Sequence, residues 1–168
     1  NKKFKIKFFL LRHNIKSNTL KLLADKKNIP IYQFKNVNDK KSINILKGIK
    51  CDIFCSLSYD QIFKSSIINQ PQLGIVNCHA GMLPDYKGRN ILNWAIINGE
   101  ESYGITTHFI NEKIDDGDII IQKKYKIEQL DDYKSILLKT EKRCANILYL
   151  TLNKIFQNNF KRINQNKI

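Results

Sequence analysis

Nothing in the 168-residue chain is long and apolar enough to span a membrane: no run approaches the roughly 18 apolar residues required. No secretory leader is visible either. The chain opens on Asn1 rather than Met, so the natural start is expected to lie upstream, and the reading is of a cytoplasmic protein. Neither a Walker A loop nor the dinucleotide glycine fingerprint occurs, which removes two common nucleotide-phosphate cradles. The cysteines are few and irregular. Cys51, Cys55, Cys78 and Cys144 match no zinc spacing and no disulfide framework, and read as buried, reduced thiols. Acidic residues are scarce, 15 against 29 Lys and Arg, for a net charge of +14. Such an excess invites a nucleic-acid reading. Against it, Lys outnumbers Arg about sixfold and is scattered rather than blocked, as AT-rich codon usage would produce. Phosphate clamps favour the bidentate Arg fork. The field still suits an anionic small substrate.

What is present is enough for one domain, and 42% hydrophobic residues can build a real core. Residues 4–11 read as a strand. Ser17 or Asn18 caps a helix to about residue 28, with Leu20, Leu22, Leu23 and Ile29 as its apolar side, ended by Pro30. Residues 31–34 form a short strand. Asp39 starts a second helix with Ile43, Ile45, Leu46 and Ile49 inward. Residues 52–57 are a buried strand, 61–68 a short helix and 74–78 a third clear strand. Residues 91–98 are helical, with Leu92, Trp94, Ala95 and Ile96 toward the core and Gly99 as the stop. Strands at 104–110 and 118–127 flank a tight polar loop, 111–117. Asp131 or Asp132 caps a last helix to about Gln157, whose inward stripe includes Ile136, Leu137, Cys144, Ile147, Leu148, Thr151 and Ile155. Residues 158–168 read as a frayed polar tail. The alternation predicts an α/β sheet, partly parallel and covered on both faces, with a mixed edge where the late strands lack an intervening helix. Ligands in such sheets sit at the carboxyl ends of strands. That is where Asn77 and His79 fall.

The chemistry is concentrated in two runs: Asn77-Cys78-His79-Ala80-Gly81-Met82-Leu83-Pro84-Asp85-Tyr86-Lys87-Gly88-Arg89-Asn90, and Ile114-Asp115-Asp116-Gly117-Asp118-Ile119-Ile120. The first offers an amide and an imidazole two residues apart, the second a carboxylate in a glycine turn. A donor, a titratable base and an orienting carboxylate suit acyl transfer. Asp116-Gly117 is a good turn pair that can hold Asp115 inward while Asp116 points to solvent. The acidic cluster Asp115, Asp116 and Asp118 lacks the ligand alternation and closing Glu of a calcium loop, so no metal is expected. His13 reads as surface. His108 shares a strand face with Ile110 and reads first as a packing or hydrogen-bonding residue.

These two runs together resemble the catalytic core of the 10-formyltetrahydrofolate-dependent formyltransferases. The family pattern of Asn-x-His, a Leu-Pro-x-Tyr-x-Gly loop and an Asp-x-Gly turn is matched by Asn77, His79, the segment 83–88 and Asp115, at the family's His-to-Asp separation. The resemblance covers at least residues 50–125. It implies a Rossmann-like α/β fold, mostly parallel, with helices on both faces and a mixed C-terminal edge. It implies one catalytic domain over residues 1–157, lacking the family's first strand–helix unit, followed by the polar tail. The implied reaction moves a formyl group from N10 of 10-formyltetrahydrofolate, as co-substrate, to an amine. Asn77 and protonated His79 would stabilise the tetrahedral oxyanion, His79 would shuttle protons, and Asp115 would orient the ring and raise its pKa. The pterin would lie against Leu57, Ser58, Tyr59, Gln61, Ile62 and Ile114, the bland alternative for Leu57 and Ile62 being core packing.

The acceptor follows less directly. The segment 90–100 looks most like the sugar-nucleotide branch of that family, which implies a nucleotide-linked amino sugar bound by Met82, Tyr86, Lys87, Arg89 and Asn90. Read over this stretch of sequence, the C-terminal domain that methionyl-tRNA formyltransferases add is expected to be lacking, as is the phosphate-binding glycine loop of the glycinamide ribonucleotide enzymes. Ala80-Gly81-Met82 departs from the Ser-Leu pair of many relatives. The alternatives are those two acceptors, an inactive formyltransferase-like binding protein, or a nucleic-acid binder reusing the fold. Oligomeric state stays open, a homodimer included.

Overall fold

The structure, a computed structural model, describes residues 4–14 and 18–168. Ser17 as a cap lies outside the described residues. β1 (Phe9–Leu11) pairs in parallel with β2 (Ile31–Gln33), with α1 (Asn18–Lys27) as the crossover. β1 is shorter than the apolar run 4–11 because its partner offers only three residues, Ile31 to Gln33. The inward side of α1 centres on Ala24, which is fully buried, whereas Leu22 and Leu23 are exposed. α2 (Lys40–Lys47) starts at Asp39, whose carboxylate accepts the Ser42 amide at 2.6 Å and so caps the first turn. Leu46 of α2 joins Val37, Phe63, Ile67 and Ile75 in one core cluster.

The second sheet has the order β3 (Phe54–Ser56), β4 (Ile75–His79), β5 (Ser102–Phe109) and β6 (Ile119–Lys126). β3 and β4 are parallel, while β4–β5 and β5–β6 are antiparallel. The parallel share is therefore half of the described strand pairs, and the longest ladder is antiparallel. The reason lies in the connections: the nine-residue loop 110–118 is too short to carry a crossover, so β5 and β6 must return alongside each other. α3 (Ser65–Ile68) is one turn, and α4 (Ile91–Ile97) buries Ile91, Leu92 and Ala95. Trp94 is half-exposed rather than inward, being two residues, about 200° of helix, from Leu92.

α5 (Tyr133–Phe156) begins with a reciprocal cap between Asp132 and Ser135. It buries Ile136, Thr140, Cys144, Ile147, Thr151 and Ile155, one stripe at helical spacing. With Cys78, Leu92, Ala95, Tyr103 and Ile105, part of this stripe forms the core over one sheet face. All four cysteines are free, but only Cys78 and Cys144 are buried; Cys55 is exposed. No helix among the described residues is long and apolar enough to cross a membrane.

The residues after α5 are not frayed. Ile163 bridges Ile119 of β6 through two backbone hydrogen bonds of 2.8 and 2.9 Å, and Gln165 is buried. The reading of a tail failed because Gln165 bonds to distant backbone and Ile163 bridges β6, which no local pattern reveals.

Candidate active site

Alternation on β4 puts Ile75, Asn77 and His79 on one face. Ile75 packs against the α2–α3 cluster; past its end the same face opens into a cavity of about 800 Å³ that Asn77 and His79 line. Antiparallel register sets His108 of β5 directly opposite Asn77. A register shift at Thr107/His108 then lets the chain leave β5 toward the Asp115 loop. Four groups converge there, all poorly exposed: His79, Asn77, His108 and Asp115.

Asp115 has φ +47, a left-handed conformation for a residue with a side chain. Its Oδ2 accepts the Gly88 amide at 2.9 Å and lies 3.6 Å from His79 Nδ1. Its Oδ1 accepts from Asn77 Nδ2 at 3.3 Å and lies 3.4 Å from His108 Nε2. His108 Nδ1 donates to the Phe109 carbonyl at 2.9 Å, and its Nε2 lies between Asn77 Nδ2, at 3.2 Å, and Asp115 Oδ1. His108 thus takes the hydrogen-bonding role and faces the site as well. Gly88, at φ +94, turns its amide onto Asp115 in a conformation that suits glycine.

Opposing effects act on the two ionisable partners. Burial works to lift the Asp115 carboxyl, but His108, the neighbouring charge of His79 and the Gly88 amide outweigh it and hold it below the ordinary carboxylate value. Burial likewise dominates at His79 and lowers its pKa, against the upward push of Asp115 and the Tyr86 carbonyl. Asp115 therefore acts on His79 with the expected sign, yet the net shift is down, not up: desolvation of a nearly enclosed ring wins. His79 rests neutral near pH 7, its Nε2–H donated to the Tyr86 carbonyl at 2.6 Å. Gly81 makes that approach possible. A Cβ there would lie 2.5 Å from the Tyr86 oxygen and 2.6 Å from His79 Nε2.

Leu57, Ser58, Tyr59, Gln61, Ile62 and Ile114 all line the same cavity. Leu57, Ile62 and Ile114 are 50%, 55% and 56% exposed, so core packing is not their role. The Tyr59 ring stacks on Phe63 at 5.2 Å. Its buried hydroxyl has no protein partner among the described residues, and burial followed by the Asp60 charge pushes it up to about 12, so it remains a donor. Gln61 differs from the others. Its amide is occupied by the Val37 N–H and the Phe34 carbonyl, so it pins this segment from behind. Arg12 does the same through the Ser58 carbonyl, at 2.7 Å from Nε.

Of the five acceptor residues expected from sequence, only Arg89 and Asn90 line the cavity. Met82 lies against Gly104 of β5, where the missing Cβ makes room for its side chain. Tyr86 turns its hydroxyl to Glu100 at 2.6 Å and Asn98 at 3.2 Å. Lys87 pairs with Asp116 at 2.5 Å, so neither points freely outward. The loop curls over His79 and carries these side chains away. Sequence reasoning missed the α5 side of the cavity, where Tyr133, Leu137, Thr140 and Glu141 lie; helical spacing was the available signal, but nothing in the sequence said which neighbour that face meets. Among the described residues no three or more His, Cys, Asp or Glu side chains gather as a metal site.

The formyl transferase family pattern matches residues 5–152. The bifunctional polymyxin resistance protein ArnA of Wigglesworthia glossinidia brevipalpis is 40% identical over 138 residues, 82% of this chain and 21% of that protein. The methionyl-tRNA formyltransferase of Staphylococcus epidermidis is 34% identical over 139 residues, 83% of this chain and 45% of that enzyme. The chain thus spans under half the length of these curated relatives. The crystal structure of WlaRD, a sugar 3N-formyl transferase in the presence of dTDP and 5-N-formyl-THF, superposes with TM-score 0.72 at 26% identity, covering 94% of this chain and 56% of that one. With a family match over most of its length, an α/β architecture shared with a solved member and an Asn-x-His strand end facing an Asp loop, this chain belongs to the formyl transferase family.

Proposed function

We propose that the protein transfers the formyl group of 10-formyltetrahydrofolate to the amine of a nucleotide-linked amino sugar. The observation that carries this reading is the single cavity joining the exposed apolar wall of Leu57, Ile62 and Ile114 to Asn77, His79 and Asp115. A pterin ring held on that wall, with the Tyr59 hydroxyl and backbone groups at its edge, brings its N10 side toward His79. The acceptor amine attacks the formyl carbon. Neutral His79 takes the amine proton and later returns it to the departing N10, while Asp115 stabilises the transient imidazolium. Asn77 swings an amide hydrogen from its long 3.3 Å bond with Asp115 onto the oxyanion, a donor of the kind typically worth about 10²–10³ in rate. No step calls on a metal.

Arg89 and Asn90 at the cavity rim, the overall positive charge and the likeness to WlaRD support a sugar nucleotide as acceptor. The 34% identity to a methionyl-tRNA formyltransferase favours Met-tRNA as the second reading. The test offers 10-formyltetrahydrofolate with UDP-, dTDP- and GDP-linked amino sugars, glycinamide ribonucleotide and Met-tRNA, and follows tetrahydrofolate release. Turnover on an amino sugar is the expected result. Turnover confined to Met-tRNA or glycinamide ribonucleotide reassigns the acceptor, and none on any amine refutes the transfer.

A further inference from the structure

The segment after α5 is tied to the catalytic loop at four points. Phe160 packs on Phe109 with ring centroids 5.9 Å apart, and the Arg162 guanidinium lies 4.0 Å over the same ring. Ile163 bridges Ile119. Gln165, 5% exposed, then gives one Nε2 hydrogen to the Asp115 carbonyl and the other to the Gly117 carbonyl, each at 2.8 Å. Both acceptors are carbonyls, so the amide orientation is unambiguous. The two bonds span the turn that holds Asp115 in its left-handed conformation.

We infer that Gln165 is a positioning residue for formyl transfer: residues 160–165 act as a strap, and the Gln165 amide fixes the backbone of the turn that aims the Asp115 carboxylate at His79 and Asn77. A left-handed non-glycine residue costs about 1–3 kcal/mol and persists only where its surroundings over-determine it. Here the carboxylate is held from the front by Gly88 and Asn77, and the peptide from behind by Gln165. Without the rear anchor the turn has freedom to relax, and the 3.6 Å separation from His79 is the first geometry to loosen.

This 168-residue chain has three imidazoles, His13, His79 and His108, so each can be followed by NMR in it. His79 faces Asp115, His108 and the Tyr86 carbonyl, and of these Asp115 supplies the largest upward push. In Q165L that push weakens. The His79 titration should move to lower pH, and kcat should fall about ten- to a hundredfold with little change in the folate KM. Q165N, one methylene short of both carbonyls, should fall between wild type and Q165L. R162A removes another strap anchor without touching either carbonyl; it should lower the thermal midpoint and leave the His79 titration in place. A wild-type His79 titration in Q165L and Q165N, or an equal movement in R162A, overturns the inference. If Q165L does not fold, Q165N is judged by the same two criteria. The turnover arm rests on the proposed function, but the titration does not. A shifted His79 without turnover on any acceptor counts against that function alone, and normal turnover without a shift counts against Gln165 alone.

Discussion

Gly117→Ala should damage fold and site together. Gly117 lies where the Asp115 loop re-enters β6, and it is needed for space. An added Cβ would sit 1.8 Å from the Phe109 carbonyl oxygen and 2.8 Å from its carbon, where ordinary contact begins at 3.4 Å. The obstacle cannot give way. It is backbone, and the amides beside it are engaged: Phe109 N–H with Asp118 at 2.9 Å and Ile110 N–H with Ile75 at 2.8 Å. The loop must therefore lift by about 1.6 Å. Lifting strains the Gln165–Gly117 and Phe109–Asp118 hydrogen bonds. Overpacking costs about 1–3 kcal/mol and each lost hydrogen bond about 0.5–1.5 kcal/mol. A loss of about 3 kcal/mol, or about 6–12 °C in Tm for a domain of this size, is expected. Asp115, two residues upstream, would be carried away from His79, and turnover should fall about 10²-fold. Thermal denaturation by circular dichroism and the tetrahydrofolate-release assay measure both. A variant melting within about 2 °C of wild type with unchanged turnover refutes the packing argument.

His79→Ala or Asn77→Ala should lower kcat by about 10² or more while tetrahydrofolate affinity, measured by calorimetry, survives; near-normal turnover in either removes it from the mechanism. Asp115→Asn deletes the charge that pushes His79 upward, so the acid limb of the pH–rate profile should move to lower pH as the plateau drops. His79 and Asp115 are both depressed in the folded protein. Their contributions to stability are whole above their ordinary values of 6.5 and 3.8, and are lost as pH falls through each folded value. The wild-type thermal midpoint should thus decline below pH 6.5 more steeply than that of His79→Asn. Arg89→Ala should raise the acceptor KM with folate affinity unchanged, whereas Lys87→Ala, which breaks a part-exposed pair worth about 1 kcal/mol or less, should leave that KM alone. An effect of Lys87→Ala as large as that of Arg89→Ala would return Lys87 to the acceptor site.

How much was legible before any coordinates depends on whether the signal is local. Asn77, His79 and Asp115 could be picked out because a strand end, a spacing of two and a glycine turn are written in adjacent residues. The caps at Asp39 and Asp132 and the α5 stripe from Ile136 to Ile155 were readable for the same reason: each depends on neighbours within a turn or two of helix. The segment that lines the cavity was legible as a segment, though not in the inward tie of Gln61. Other features needed the tertiary structure. Whether His79 rests charged or neutral is a contest between burial and Asp115, and burial depends on every element packed around the ring. Tyr86, Lys87 and Met82 sit in the right loop, but Glu100, Asp116 and Gly104, none adjacent in sequence, decide where they point. His108 joins the site through its register opposite Asn77. Gln165 reads as one more polar residue near a chain end until the fold brings it, across 50 residues, to the Asp115 carbonyl. Sequence carries the chemistry of a side chain and its local backbone; its direction, its partner and its protonation state come from contacts between residues far apart in the chain.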